Sequence, residues 1–528
     1  MGLPCLTYNH LFHYAAVYCL HDTEEENNMT KHQAVGKTVH TALDDLDYGP
    51  QESQDSYGKV KRTKLPEGVT YRRLFRDITM ITWPSFIELV LTQLVGMADQ
   101  IMVGRMPGEA GVQGLSAVGL ATLPNFLMLT MIIALNVGTT AVVARSRGQQ
   151  NQEKANDCFR QAMVLNLIIS AVLMVVGLFI CRPLILLMGG SGISQATLDQ
   201  GVTYLRIQMY GSIPVCLCST ITAALRGVGD TKTPMIYNTV ANIVNVIFNY
   251  FLIYGAFGFP TMGVAGASLA TVIGRIVAFF MAMLVAFGKK HYLYLDFKKR
   301  FRFDKGVIQN IVSIGLPSMI EQLIMRMGFL VFNRTVASLG DVRLATHQVV
   351  VNIQSMSFMI GQAFGSASTT MMGQSLGKRR YDMAALYMKA TRTLGMLVSG
   401  VMLLLMAVFN RELIMLYNST PEVVEIGSVI LLAVAFMQPL QGDQFIVAGG
   451  LRGVGDTRYT AGVVFVTTLC VRAALCVIAI YVFKLGLYGA WIAIFCDQIL
   501  RSALMHLRYV SGKWKVHARR RAVAEAKG

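Results

Sequence analysis

The sequence has little charge for its length. Charged residues make up 15% of its 528 residues, whereas hydrophobic residues make up 54%. Soluble domains of ordinary composition carry about 25% charged residues. The shortage of charge therefore argues against several soluble domains and favours an integral membrane protein.

Paired cysteines and phosphate-binding loops are also missing. The nine cysteines contain no C-x-x-C pair and no regular spacing, which argues against a disulfide framework or a zinc site. The heptapeptide LRGVGDT occurs at 225–231 and again at 451–457, but Lys232 and Arg458 stand where a G-x-G-x-x-G loop needs its third glycine. Because no Walker loop or zinc-type histidine cluster occurs either, we expect a protein that is not an enzyme and needs no cofactor.

What the chain does contain is apolar runs. From about Ile78 onward, twelve of them are long enough to cross about 30 Å of hydrocarbon as helices, which takes about 20 residues each. The predicted spans are 78–100, 116–142, 160–180, 203–224, 235–256, 263–287, 309–333, 346–371, 387–409, 426–449, 460–482 and 487–507. Helices satisfy their backbone polar groups internally, so we predict an all-α integral membrane protein with twelve transmembrane helices.

The positive charge is concentrated in segments that would lie on one side of the membrane. The net charge is +17, and seven Lys or Arg residues fall in each of the segments 59–76, 289–305 and 508–528. The connection 257–262 carries no charge at all. By the positive-inside rule, both termini lie in the cytoplasm. We therefore expect a multi-pass protein of the cell membrane, plasma or inner, that contacts lipid and binds no nucleic acid.

The second half of the chain repeats the first. Trp83-Pro84-Ser85 with Glu88 matches Leu316-Pro317-Ser318 with Glu321, and the two heptapeptides follow in the same order. Six spans is an even number, so the two six-helix repeats lie parallel and face one cleft. The predicted organisation is a polar, disordered extension (1–74), an N-terminal lobe (75–290), a basic linker (291–307), a C-terminal lobe (308–508) and a basic tail (509–528).

The heptapeptides fall in short turns after the fourth and tenth spans. Their glycines permit chain reversal, and Asp230 and Asp456 can cap the helix that follows. Arg226 and Arg452 suit the end of a helix at the membrane interface. We therefore predict a structural turn rather than a ligand site.

Polar side chains inside the spans indicate function, because an ionisable group at membrane depth costs about 2.5–3.5 kcal/mol. Span one places Glu88 and Asp99 on one helical face, and span five carries a stripe of four asparagines: Asn238, Asn242, Asn245 and Asn249. Hydrogen bonding between helices accounts best for the first two asparagines.

Together these features resemble the multidrug and toxic compound extrusion (MATE) family over about residues 75–510. The resemblance is carried by the paired LRGVGDT turns, by Pro84 with MADQIMVGR (97–105), and by the eighth-span run 345–377, ATHQVVVNIQSMSFMIGQAFGSASTTMMGQSLG. The rival major facilitator family has an acidic, glycine-rich signature between spans two and three, where this chain has ARSRGQQNQEK (144–154).

The resemblance implies a site for a cation or a proton at Asp99, Asn245, Asn249 and Thr271. Carboxylate, amide and hydroxyl oxygens are ligands that Na⁺ accepts, but many sodium-type relatives have aspartate in place of Asn249, so the choice between H⁺ and Na⁺ stays open. In the second half, Phe332 and Met325 replace the acidic residues of related proteins. We therefore expect no equivalent site there.

The acids Glu88, Glu321 and Asp443 also lie within the spans. Glu88 and Glu321 suit symmetric packing or gating, and Asp443 suits either a cationic substrate or pairing with Gln438 or Gln441. We predict a monomeric antiporter that takes up H⁺ or Na⁺ and exports amphipathic organic cations, drugs or other xenobiotics. The alternatives are a flippase for lipid headgroups or lipid-linked precursors, which a cleft rich in basic residues would favour, and a sensor that transports nothing.

Overall fold

In the computed structural model, the described residues all belong to one compact unit, Gly58–Gly528. The predicted disordered extension lies outside the described residues except for its last part, where the first helix has begun by Tyr71. The structure describes residues 66, 69–107, 109–189, 194–288, 291–295, 301–417 and 420–527.

The described part of the N-terminal half forms seven helices and a short 3₁₀ turn, Ala256–Gly258. Thr70 caps the first helix by accepting a hydrogen bond from the Arg73 backbone N–H at 3.3 Å. The helices are α1 (Tyr71–Gly104), α2 (Glu109–Gly148), α3 (Gln152–Gly189), α4 (Gln195–Tyr210), α5 (Ser212–Val228), α6 (Lys232–Tyr254) and α7 (Gly263–Phe287).

Helices α4 and α5 form one broken span with a bend of 51°. They meet at Gly211, where a Cβ atom would collide with the Val272 side chain of α7. Pro214 stands in the first turn of α5, where its missing N–H leaves no helical hydrogen bond unmade. The single fourth span predicted at 203–224 therefore begins earlier, at Gln195, and is bent.

The C-terminal half repeats this order. Asp304 caps its first helix by accepting a hydrogen bond from the Gly306 backbone N–H at 2.8 Å. The helices are α8 (Lys305–Ala337), α9 (Asp341–Gly377), α10 (Tyr381–Val408), α11 (Asn410–Met415), α12 (Pro421–Gly453), α13 (Thr457–Val482), α14 (Gly486–Val510) and α15 (Lys513–Lys527). Helix α13 contains two π-helical stretches, Phe465–Ala473 and Ile478–Val482.

Nine helices of the described chain are long and apolar enough to cross a membrane, and the bent pair α4–α5 makes ten. Helices α9 and α14 have 37 and 25 residues, so they are long enough, but they carry more polar side chains. With these two, each half supplies six spans in the same order. The all-α membrane fold is confirmed, and the helix order is consistent with twelve spans.

Each heptapeptide ends a helix by the same backbone geometry. Gly229 and Gly455 adopt positive φ angles of 93° and 81°, which a glycine adopts without strain. The backbone N–H groups of Asp230 and Asp456 then donate to Leu225 and Leu451 oxygens at 2.9 and 2.8 Å. The structure thus forms the predicted turn in both halves.

The two predicted caps behave differently. The Asp230 carboxylate accepts a hydrogen bond from the Thr233 backbone N–H at 3.1 Å, as a cap at the start of α6 should. Asp456 makes no such bond and instead accepts one from the Arg508 Nε at 2.9 Å. The capping prediction holds for the first copy and is wrong for the second, because a nearby arginine engages the carboxylate.

The lobes meet at one end of the bundle, near the heptapeptides. Helix α2 packs on α8 and α9, and α1 packs on α9 and α10. Gly138 of α2 lies against the Ile311 backbone, and Gly148 lies against Gly377, so small residues permit close approach. Across the same junction, the Thr370 hydroxyl donates to the Arg226 carbonyl at 2.9 Å. This is the end that the positive-inside rule assigns to the cytoplasm.

Candidate functional site

The N-terminal lobe brings together the four side chains predicted to bind a cation or a proton. Asp99 of α1 accepts a hydrogen bond from the Asn249 amide of α6. The Asn245 amide, one turn earlier, spans the gap to α7: its nitrogen is 3.0 Å from Asp99 Oδ1 and its oxygen is 3.2 Å from Thr271 Oγ1. Three helices therefore contribute to one polar cluster.

Small residues on α7 place this cluster. Gly266 lies against the Leu252 backbone, and Gly274 lies against Ala241 and Asn245, so α6 and α7 approach closely on both sides of Thr271. Asn245 and Asn249 are consequently 4% and 0% exposed. A buried amide of this kind is held in one orientation by its hydrogen bonds.

The cluster offers oxygen atoms to a cation. The Asn249 Oδ1 atom is buried and has no hydrogen-bond partner within the described residues. With the Asp99 carboxylate and the Thr271 hydroxyl, it forms a set of hard oxygen donors suited to a small monovalent cation. The same carboxylate could instead carry a proton, because it stands at membrane depth with amides as its hydrogen-bond donors.

Arg275 is a basic neighbour of the cluster that sequence reasoning missed. It lies one helical turn beyond Thr271 on α7, and its guanidinium acts electrostatically on the Asp99 carboxylate. The sequence analysis assigned no role to this arginine. Its spacing of four residues from Thr271 is the signal that could have identified it.

Glu88 and Glu321 occupy equivalent positions in the two lobes. Glu88 forms an ion pair with Arg226 at 2.8 Å and accepts a hydrogen bond from Asn238 at 2.8 Å. Glu321 pairs with Arg452 and accepts a hydrogen bond from the Thr460 hydroxyl at 3.0 Å. Each of these ion pairs joins the first helix of a lobe to the heptapeptide of that lobe.

Thr231, the last residue of the first heptapeptide, also contacts the backbone of α1. Pro84 has no N–H, so the carbonyl of Met80, four residues earlier, loses its helical partner. The Thr231 hydroxyl faces that carbonyl at 3.4 Å. The first heptapeptide therefore turns the chain, pairs with Glu88 and supports α1 at its proline.

Asp443 has a different partner from those considered in the sequence. It pairs with Arg392 of α10, and His506 Nδ1 of α14 lies 3.8 Å from its other oxygen. Gln438 instead accepts a hydrogen bond from Ser357. Asp443 thus pairs with a neighbour, as one of the two alternatives expected, but the partner is Arg392 rather than Gln438 or Gln441, because α10 brings a full positive charge to the same place.

The C-terminal lobe has no counterpart of the Asp99 cluster within the described residues. Phe332 stands where symmetry would put Asp99, and its ring packs 5.3 Å from that of His347, which lies 5.5 Å from Trp491. The most deeply buried carboxylate in the described part of this lobe is Asp497, which pairs with both Arg472 and Arg501. Two guanidiniums neutralise it fully.

Arg326, a basic residue of α8, contacts the other lobe. The guanidinium of Arg326, on α8, lies 4.5 Å from the Phe126 ring centre, on α2. Phe126 precedes Ala144 by eighteen residues, five helical turns, so both point the same way, and Ala144 lies against Gly373 of α9. Both side chains therefore face the cleft. Arg326 has no acidic partner among the described residues.

Two six-helix lobes around one cleft, with a carboxylate held by amides at membrane depth, define a membrane transporter. The chain belongs to the MATE family: the model of that family, MatE, matches residues 84–251 and again residues 317–478. The two matches fall in the two lobes and follow the repeat seen in the sequence.

The relatives cover most of the chain. It is 28% identical over 453 residues to the probable multidrug resistance protein NorM of Thermotoga maritima, across 84% of this chain and 94% of that one. A solved structure described as an outward-facing multidrug resistance MATE transporter matches with a TM-score of 0.76, 20% identity and coverage of 88% and 100%. A transporter of the MOP superfamily from Pyrococcus furiosus, described as having a binding pocket of reverse polarity, matches at 0.75 with 21% identity and the same coverage.

Replacing Asn245 or Thr271 by Ala should weaken binding of the coupling ion about tenfold, since each loses a hydrogen bond next to a charged group. Transport would be measured against the concentration of the driving ion. Asn242→Ala is the matched control, because Asn242 lies on the same helix and is not hydrogen-bonded to Asp99 or Thr271. Equal losses in all three variants would indicate a packing role for the stripe instead.

Proposed function

We propose that the protein is a cation-coupled antiporter that exports amphipathic organic cations, drugs or other xenobiotics. One observation carries the proposal. Asp99 makes no ion pair with a described residue, whereas Glu88, Glu321, Asp443 and Asp497 each pair with arginine. A carboxylate held at membrane depth by amides can gain and lose a cation or a proton without breaking an ion pair.

Helix α1 connects this carboxylate to the junction between the lobes. Asp77 near its start accepts a hydrogen bond from the Tyr387 hydroxyl of the other lobe at 3.1 Å. Ile81, one turn on, packs against Ala367 and Met371. Pro84 interrupts the hydrogen bonds of α1 between this junction and Asp99, and so provides a point at which the helix can bend.

We infer alternating access from this arrangement. In the present state the lobes meet at the end assigned to the cytoplasm, which favours a cleft accessible from outside. Ion binding at Asp99 would change the charge that α1 carries and the hydrogen bonds it makes to α6. Because the same helix contacts α9 and α10, that change can shift the balance between the two states.

The naming of relatives supports the direction and the substrate class. The Thermotoga maritima protein is called a probable multidrug resistance protein, and its similarity extends over both lobes. An exporter of chemically varied drugs needs an adaptable cleft rather than a rigid pocket. We therefore assign small organic molecules, and amphipathic cations in particular, as the exported substrates.

The coupling ion can be determined with purified protein in sealed proteoliposomes. A sodium gradient without a pH gradient, and then the reverse, would be imposed while a fluorescent organic cation is followed. We expect the proton gradient to give the larger flux, because Asn249 removes the second carboxylate that would help to hold Na⁺. Sodium-driven flux that persists when the pH gradient is collapsed would reverse this assignment, and flux under neither gradient would argue against ion coupling.

A flippase for anionic lipid headgroups is the second candidate, and Arg326 is the observation that favours it. Arg326→Gln separates the two functions. For an exporter of organic cations, we expect flux to be kept or raised severalfold, because a positive charge leaves the cleft. For a flippase, movement of a fluorescent anionic phospholipid across the bilayer would fall in the same variant. Lys232→Gln, at the surface start of α6, is the control for charge alone.

A further inference from the structure

Helix α10 presents a continuous apolar stripe to its surroundings. Leu397, Val401, Leu404 and Val408 are each exposed over more than half of their surface. Their spacing of four, three and four residues places them on one face of the helix. Because α10 is long and apolar enough to span the membrane, this face is the one that contacts lipid tails.

The same face becomes polar toward the start of α10. Thr393 and Lys389 lie four and eight residues before Leu397, on the same stripe, and both are exposed. They line a cavity of about 420 Å³ together with Arg392, Met396 and Leu397. Lys389 stands eight residues after the first residue of α10, about 12 Å along its axis. On a helix that begins at the membrane surface, this places Lys389 a short way inside the headgroup region, from which its long side chain can reach back to the headgroups.

The cavity carries a net positive charge. Arg392 already has two partners outside the residues that line the cavity: its Nε donates to Asp443, and one terminal nitrogen is 2.9 Å from His506 Nδ1. Asp443 therefore balances Arg392. Lys389 forms no ion pair with a described residue, and no acidic side chain lines the cavity. The Lys389 ammonium is therefore the uncompensated charge among the residues that line the cavity.

A basic helix lies beside the same end of α10. In α15, Trp514 and Ala518 are buried, and the Trp514 indole donates to the Tyr509 carbonyl at 3.1 Å. Arg519 lies over the ring of Tyr381, the first residue of α10, at 5.3 Å. A short helix with a buried apolar side and an exposed basic side is suited to the membrane surface.

We propose that this cavity, which we call the α10 lipid site, binds one anionic phospholipid of the leaflet assigned to the cytoplasm. The phosphate would contact Lys389, with Arg392 behind it, and the acyl chains would follow the stripe from Leu397 to Val408. Charge and apolar surface join here on one helix face, as a phospholipid requires and a free phosphate does not. The cytoplasmic leaflet is also the one that carries anionic lipids.

The test is retention of lipid by the purified full-length protein in detergent, followed by native mass spectrometry with phosphatidylglycerol and phosphatidylcholine. We expect retention of the anionic lipid, about a fivefold loss in Lys389→Gln, and recovery in Lys389→Arg. Lys232→Gln, which removes an exposed lysine of the other lobe, should change nothing. Thr393→Trp, which fills the cavity without altering charge, should also lower retention.

Three results would overturn the proposal. These are equal retention of the two lipids, unchanged retention in both Lys389→Gln and Thr393→Trp, or displacement of the lipid by inorganic phosphate at equal concentration, which would indicate a simple anion site. Because Lys389 and Thr393 are exposed, thermal unfolding should not change in these variants. The assay involves no transport, so its outcome is independent of the antiporter proposal.

Discussion

Asp99→Asn is expected to abolish ion-driven export, with flux falling to that of liposomes without protein. The substitution keeps the size of the side chain but removes its charge. Neither a cation nor an exchangeable proton can then be held between α1, α6 and α7. Because Asn249 and Asn245 both direct amide nitrogens at Asp99, a neutral amide fits sterically but reverses part of the hydrogen-bonding pattern.

The matched control for this variant is Asp199→Asn. Asp199 lies on α4, is exposed, and has the Gln195 amide at 3.3 Å as its partner, so the same change there should leave export intact. Both variants should reach the membrane in normal amounts. Normal export by Asp99→Asn, at equal amounts of protein, would remove Asp99 from the coupling site.

Much of the fold was predictable because the apolar runs and the repeat can be read directly from the sequence. Twelve runs, two heptapeptides and two proline-containing first helices led to the two-lobe arrangement. The bend at Gly211 was not predictable, since it depends on how closely α7 approaches. The π-helical stretches of α13 were missed because their residues, FVTTLCVRA and IAIYV, contain no glycine or proline that would mark a change of helix type.

The Asp99 cluster could be assembled from spacing together with the family resemblance. Asn245 and Asn249 are one turn apart, and the structure brings both to Asp99, with Thr271 beside them. Their role in coupling stays a prediction. The partners of Glu88, Glu321 and Asp443 were not found, because each is an arginine at least 50 residues away along the chain. Such pairs form only when helices from distant parts of the sequence pack together.

Asp497 was overlooked altogether, although it has a local signal. It is four residues before Arg501 on α14, the spacing at which opposite charges meet on a helix. Its second partner, Arg472, comes from the π-helical part of α13. Asp497 is thus fixed by two guanidiniums, whereas the Asp99 carboxylate is held by amides.

Asp497→Asn is therefore expected to destabilise the protein strongly, by about 3–5 kcal/mol, the usual cost of breaking a buried ion pair. Asp497, Arg501 and Arg472 have side chains that are 0%, 2% and 6% exposed, so the variant leaves two buried guanidiniums without a counter-charge. The matched control is Asp382→Asn: Asp382 pairs with Arg380 at the surface, where loss of the pair should cost about 0–1 kcal/mol. Thermal unfolding of both purified variants measures the difference. Equal stability of the two would mean that Asp497 is not the structural anchor of the C-terminal lobe, and its role in transport would then have to be tested.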